Sequence, residues 1–205
     1  VELCGGEGRV SRICVRRRIR HGQNFDIVVG FDLNDPQIQK DVRHYYNHFQ
    51  PLISIQAPTC TPFGSFARLN YYSHYDAWLR SYNEAAPHGR FCGEMALLQD
   101  KQGRYWLNEQ PAGSWLYYEE PWPEVLATQS SIFVIFDQCM VGQTGHSGLP
   151  VQKSTELKAN HPALLVPFEG LKCDGSHEHD HLRHGRAEAC KPVSYTHLTL
   201  PTTPY

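Results

Sequence analysis

Cys60 lies in the run Ala57-Pro58-Thr59-Cys60-Thr61-Pro62-Phe63-Gly64, where a proline on each side fixes the backbone just past an apolar segment. That segment, Pro51-Leu52-Ile53-Ser54-Ile55-Gln56, is short and β-branched, which suits a buried parallel strand better than a helix. In open α/β sheets ligands collect at the carboxyl ends of the strands, so a thiol emerging there meets substrate. Two readings of Cys60 stay open: a nucleophile, or an inert thiol packed in a turn.

Glu109 forms the second half of a pair. Arg104-Tyr105-Trp106-Leu107-Asn108 reads as a strand that delivers Glu109-Gln110-Pro111 at its end. A thiolate nucleophile needs a lowered pKa or an activated substrate, and a carboxyl group that holds a proton at a ring nitrogen supplies the second. The bland alternative for Glu109 is a surface carboxylate in a turn. Upstream, Gly6-Glu7-Gly8 follows an expected first strand at Val1 to Cys4, and a tight glycine turn there lets the backbone approach a nucleotide-like cofactor. Asp32, at the tip of an expected strand Phe25 to Phe31, supplies the carboxylate such a site uses on ribose hydroxyls, or else caps the next helix. No lysine completes a triphosphate-binding loop.

Cys173, His177, His179 and His181, with Cys190 beyond, are the rival constellation. Thiolate and imidazole are what zinc prefers, and four such groups close a tetrahedral site. Histidines at every second residue need an extended chain to share one side, so a solvated His-rich loop is the competing reading.

The elements that must position these groups alternate. A helix is expected over 9–19, and another after Asn34 or Asp35, with Pro36 in its first turn and Ile38, Val42, Tyr45, Tyr46 and Phe49 on one face. After an aromatic-rich loop come helical patterns at 76–86 and 90–99, which Pro87 and Gly89 are expected to kink or separate. Ile132 to Phe136 reads as a strand ending at Asp137-Gln138-Cys139, Gly142 to Gly148 as a loop, and Lys153 to Leu157 as a last strand. Strand and helix in alternation imply an α/β fold with a mostly parallel open sheet and helices on both faces.

Composition bounds the partners. The chain has 205 residues, 40% hydrophobic and 20% charged, which suits one sizeable core. A net charge of −2 leaves no broad basic face for tight, non-specific nucleic-acid binding, so any DNA contact is local, and Arg16-Arg17-Arg18-Ile19-Arg20 reads as a solvated run. Seven scattered cysteines fit reduced thiols, and with no apolar span or signal segment the expectation is an intracellular protein, nuclear or cytoplasmic. The sequence opens at Val1 inside an expected strand, which suggests a piece of a longer chain. Residues 192–205 break composition, resemble translated sequencing-adapter sequence, and are set apart as a non-native tail. The expected division is therefore 1–170, a His/Cys-rich extension at 171–191, and that tail.

Together these residues resemble a family, the S-adenosylmethionine-dependent cytosine-5 DNA methyltransferases, most of all the compact phage-type members. Glu2-Leu3-Cys4-Gly5-Gly6-Glu7-Gly8 is similar to their cofactor-binding first motif, and Asp32 falls where their ribose-binding acid sits. Residues 57–64 resemble their Pro-Pro-Cys-Thr-x-Phe-Ser loop, and Trp106-Leu107-Asn108-Glu109-Gln110-Pro111 their Leu-Glu-Asn-Pro motif. Gly148-Leu149-Pro150-Val151-Gln152-Lys153-Ser154-Thr155 resembles a Gly-x-Pro-x-x-Lys-Arg-Thr segment. The likeness covers about residues 1–160 in order. It implies a Rossmann-like methyltransferase fold, Cys60 as nucleophile and Glu109 as base-contacting acid. It further implies S-adenosylmethionine held by Leu3, Cys4, Gly5, Gly6, Gly8, Asp32, Leu33 and Pro58, and DNA met by Thr61, Lys153 and Thr155. A narrower similarity is to methyltransferase-like segments of eukaryotic retroelement polyproteins, which carry a comparable Cys-Asp-Gly-x-His-x-His stretch and would make other polyprotein segments partners.

Thr59, Gly64, Gln110 and Ser154 depart from the family pattern, and no large target-recognition domain fits between Asp137 and Lys153. Three functions therefore compete: methyl transfer to cytosine C5 in DNA, a catalytically inactive polyprotein segment, and a small zinc module at the His-rich end.

Overall fold

The computed structural model describes residues 1–145 and 147–180. A six-stranded sheet runs in the order β2-β1-β3-β4-β6-β5. Its strands are β1 Glu2–Leu3, β2 Asn24–Phe25, β3 Ile53–Gln56, β4 Tyr105–Pro111, β5 Ile132–Asp137 and β6 Ser154–Ala159. Strands β1 to β4 pair in parallel, whereas β6 lies antiparallel between β4 and β5. The protein is thus α/β with a mixed, mostly parallel sheet. Five helices accompany it among the described residues: α1 Arg9–Arg16, α2 Pro36–Phe49, α3 Ser65–Ser73, α4 Tyr75–Lys101 and α5 Trp122–Leu126.

Side chains alternate across each strand, so the two faces bury different cores. Leu3 and Trp106 meet Val42 and Tyr46 of α2, Phe91 and Met95 of α4, and Trp122 of α5 in the larger one. Trp106 and Trp122 are fully buried, with ring centroids 6.1 Å apart. Removing rings of this size from water contributes roughly 4–6 kcal/mol each before the entropy of ordering them. Leu107, Phe136, Leu157, Leu165 and Phe168 form a smaller core on the other face, closed by 3-10 turns at Pro162–Leu164 and Val166–Phe168. Over β1 that face carries α1, whose Ser11 N–H and hydroxyl both donate to Glu2 Oε1.

Four local expectations are corrected. The apolar run 25–31 is not one strand: β2 stops at Phe25, because the Asp26 carboxylate accepts from Val28 N–H at 2.8 Å and caps a 3-10 turn at Ile27–Val29. Gly30, at φ +93°, then turns the chain away. Helix α4 passes through Pro87 without a break, since its residues on both sides of the proline, Ala85 and Ala86 before it and Phe91 and Met95 after it, pack into one core. Outside donors also bond two of its carbonyls, Asn34 Nδ2 to Glu84 O and Trp122 Nε1 to Gly89 O, both at 2.9 Å. The aromatic stretch after Gly64 is helical, as α3. Finally, Glu109 stands inside β4 and not beyond it, because β6 returns antiparallel and extends the pairing to Pro111.

Helix α2 begins as expected, with Asp35 as N-cap accepting from Gln37 N–H at 2.7 Å and Pro36 in the first turn. His181, Cys190 and the tail at 192–205 lie outside the described residues. Among the described residues no helix is long and apolar enough to cross a membrane.

The strand order sets where a ligand fits. From β1 the chain builds outward to β2 on one side and to β3 and β4 on the other, so the sheet has a switch point between the adjacent strands β1 and β3. A crevice opens beyond the carboxyl ends of such a strand pair, where ligands of open α/β sheets bind.

Candidate functional site

The loop after β3 is fastened along its length. Pro58 O accepts from Gln110 Nε2 at 2.7 Å, and Thr59 N–H donates to His88 Nε2 at 3.4 Å. Pro62 O accepts from Trp78 Nε1, and Phe63 O from Trp115 N–H. Both Phe63 and Gly64 N–H groups turn back to Cys60 O at 3.0 Å, which curls the loop into the start of α3. Cys60 itself is half-buried and not disulfide-bonded, while Thr61 is exposed. A thiol held on so constrained a loop gives up little further freedom when a substrate arrives.

Strand β4 is the immediate neighbour of β3, with Gln56 opposite Asn108. Glu109 is buried in it, and its Oε1 lies 3.3 Å from Lys153 Nζ and 3.5 Å from Gln138 Nε2. Gln110 points to the opposite face, where it holds Pro58 O and accepts from Ser114 Oγ at 2.9 Å. Gln110 therefore couples the Cys60 loop to the Glu109 strand. Thr155, expected to meet substrate, is fully buried in β6 and bonds back to Lys153 O at 3.4 Å.

At the end of β1 the turn is left-handed at Cys4, Gly6 and Gly8, with φ of 56°, 57° and 66°. A side chain at Gly5 would put its Cβ 2.7 Å from Asn24 Oδ1 and 2.8 Å from Glu2 Oε2, so only glycine fits. Those same two oxygens are buried acceptors without a donor. Leu3 and Leu33 are buried in the larger core, and Cys4 packs against it. The hydrogen bond between the Cys4 and Cys92 thiols, then burial, raises the pKa of Cys4.

Asp32 is exposed and accepts from Asn34 N–H at 2.9 Å, closing a local turn. The carboxylate at the tip of β2 is instead Asp26, whose Oδ2 accepts from Gly6 N–H at 2.8 Å and so fixes the glycine turn. His88 on α4 joins these parts: Nδ1 is 3.0 Å from Asn34 Oδ1, and Nε2 takes the Thr59 N–H. Burial lowers its pKa, opposed by the nearby Asp32 and Asp26 charges. Sequence reasoning missed both Asp26 and His88. A turn signal at Asp26 was hidden by the β-branched residues after it, and nothing around His88 distinguishes it from an ordinary helical histidine.

A second constellation stands at the end of β5. Cys139, Cys173, His177 and His179 bring their ligand atoms within 4.8 Å of one another. Cys173 and the two histidines were candidates from sequence; Cys139 was not, because its partners are more than thirty residues away in the chain. Burial, then the adjacent Cys173 thiol, pushes the Cys139 thiol up to about 11.

No protein-family model matches this chain, and no curated protein matches it.

Proposed function

We propose that this protein is a Rossmann-like S-adenosylmethionine-dependent methyltransferase acting at cytosine C5 in DNA, with Cys60 as nucleophile and Glu109 at the ring nitrogen. The observation that carries the reading is the Gln110–Pro58 bond, which ties a proline-flanked thiol to the strand of a buried carboxylate beside the switch point.

The glycine turn suits the cofactor by its charge. Asp26 and Asp32 supply acceptors and negative charge around the β1 and β2 tips. A cationic, donor-rich nucleoside fits such a site, whereas a pyrophosphate would be repelled. Gly5, Gly6, Gly8, Asp32 and Pro58 would hold it, with Leu3, Cys4 and Leu33 supporting the turn from the core side. When bound, S-adenosylmethionine supplies an electrophilic methyl group.

The protein's own part is to activate the base. The target carbon is unreachable within stacked DNA, so the cytosine is flipped into the crevice. Cys60 Sγ adds to the ring carbon beside the one to be methylated, while Glu109 holds a proton at the ring nitrogen and spreads the developing charge. Release of the product would pass the C5 proton to water and return the ring-nitrogen proton to Glu109 as the ring double bond re-forms and the Cys60 thiolate is expelled.

A second reading, a domain that binds the cofactor without turnover, is favoured by Lys153, whose Nζ at 3.3 Å competes with substrate for Glu109 Oε1. Titration calorimetry with S-adenosylmethionine and with its demethylated product tests the proposal at its root. Binding of both is expected. Failure of both to bind would remove the cofactor and the reaction together.

A further inference from the structure

Four side chains that methyl transfer does not use converge at the end of β5. Cys139 belongs to the 3-10 turn Gln138–Val141, while Cys173, His177 and His179 come from the segment laid over it after β6. Cys173 Sγ is 3.3 Å from His179 Nε2 and 3.8 Å from His177 Nε2. A tetrahedral zinc centre, with bonds of about 2.3 Å to sulfur and about 2.0–2.1 Å to nitrogen, has ligand–ligand edges of about 3.3–3.8 Å.

The local backbone answers the objection that alternate histidines need a long extended strand. Ser176 N–H bonds Asp174 Oδ1 at 2.9 Å, and Gly175 adopts φ +75°, so the chain turns back and Cys173 faces the histidine pair. Gly175 N–H donates to Cys173 Sγ at 3.3 Å, the kind of outer contact that orients a thiolate ligand. The segment is anchored on both sides of the cluster, by Cys173 N–H on Asp137 Oδ2 at 3.0 Å and Asp180 N–H on Pro150 O at 2.8 Å.

We infer that Cys139, Cys173, His177 and His179 form a structural zinc site that clasps residues 171–180 to the end of β5. Two thiolates and two imidazoles suit zinc and not calcium or magnesium, which prefer oxygen. Four protein ligands leave no open position, so the metal is structural and not catalytic. Binding releases the two thiol protons and needs no redox partner. The clasp has a consequence for the carboxylate site. Gln138, next to Cys139, contacts Glu109 Oε1 through Nε2, and its N–H bonds Lys153 O at 3.0 Å. Zinc therefore stiffens the wall behind Glu109, although the site does not depend on the methyl-transfer reading.

The test is metal analysis of the full chain, purified without chelator and then challenged with one. Wild type should retain one zinc per chain and, loaded with cobalt, show the visible spectrum of a tetrahedral ion with thiolate ligands. Cys139→Ser and His179→Ala should lose the zinc, whereas His181→Ala and Cys14→Ser should keep it. Cys139→His preserves a zinc ligand and should retain metal even if Cys139→Ser fails to fold. Wild type without zinc, or zinc that survives Cys139→Ser and leaves with His181→Ala, would overturn the assignment.

Discussion

Gln110 donates from Nε2 to the Pro58 carbonyl at 2.7 Å, so the loop that carries Cys60 hangs from the strand that carries Glu109. Its Oε1 is also occupied, by Ser114 Oγ. Gln110→Ala leaves the Pro58 carbonyl without its donor and the Ser114 hydroxyl proton without its acceptor, both buried, while Ser114 Oγ keeps Leu116 N–H, at a cost of about 2–4 kcal/mol. The expected outcome is a melting temperature lowered by roughly 5–15 °C, with new protease cleavage within residues 57–64. An unchanged melting curve and an uncut loop would show that the bond contributes nothing to the site.

Asp26 and Asp32 hold different turns at the tips of β1 and β2. Asp26 accepts from Gly6 and Val28 N–H groups, so Asp26→Ala should lower stability by about 1–3 kcal/mol through the glycine turn. The Asp32 carboxylate accepts from Asn34 N–H, while the Asp35 N–H bond is to its backbone carbonyl and survives substitution, so Asp32→Ala should leave the melt nearly unchanged while weakening cofactor binding about tenfold. Melting and calorimetry on both variants check this. An Asp32→Ala protein with lowered stability and unaltered affinity would reduce Asp32 to a turn residue.

His88 makes stability depend on pH. Burial disfavours its cation, so its folded pKa lies below the ordinary 6.5 and the unfolded chain takes up the proton first. The neutral ring's contribution is therefore complete above about pH 6.5 and is lost as pH falls through 6.5 toward the folded value. Urea midpoints measured between about pH 7.5 and 5.5 should fall in wild type and fall less in His88→Gln. Equal slopes would contradict a half-buried His88 that stays neutral in the folded protein.

The sheet was legible because its strands carry their signal locally: Ile53–Gln56 and Ile132–Asp137 are apolar, β-branched and bounded by turns. Helix α2 was legible for the same reason, with its cap, its Pro36 and its buried stripe of Val42 and Tyr46. What failed depended on distant partners. Whether Phe25 to Phe31 forms a strand is settled by a neighbour, and at the sheet edge none covers Ile27 and Val28, which stay 69% and 66% exposed. Continuity of α4 across Pro87 rests on the core that Ala85, Ala86, Phe91 and Met95 share, and the fourth member of the Cys/His cluster on the fold that returns 173–179 to Cys139. Cys60 and Glu109 were singled out as candidates from their flanking prolines and strands, but the contacts of Gln110, which ties the Cys60 loop to β4, and of His88, which ties that loop to Asn34, have no signature outside three dimensions.

The most direct test of the central claim is covalent trapping on DNA that contains 5-fluorocytosine, in the presence of S-adenosylmethionine. Fluorine at C5 cannot leave as a proton does, so a thiol that has added to the ring remains attached to it. Wild type and Cys14→Ser should form a denaturant-resistant adduct, and Cys60→Ser should form none. An adduct that persists in Cys60→Ser, or its absence from wild-type protein that binds the cofactor, would contradict Cys60 as the nucleophile of a cytosine methyltransferase.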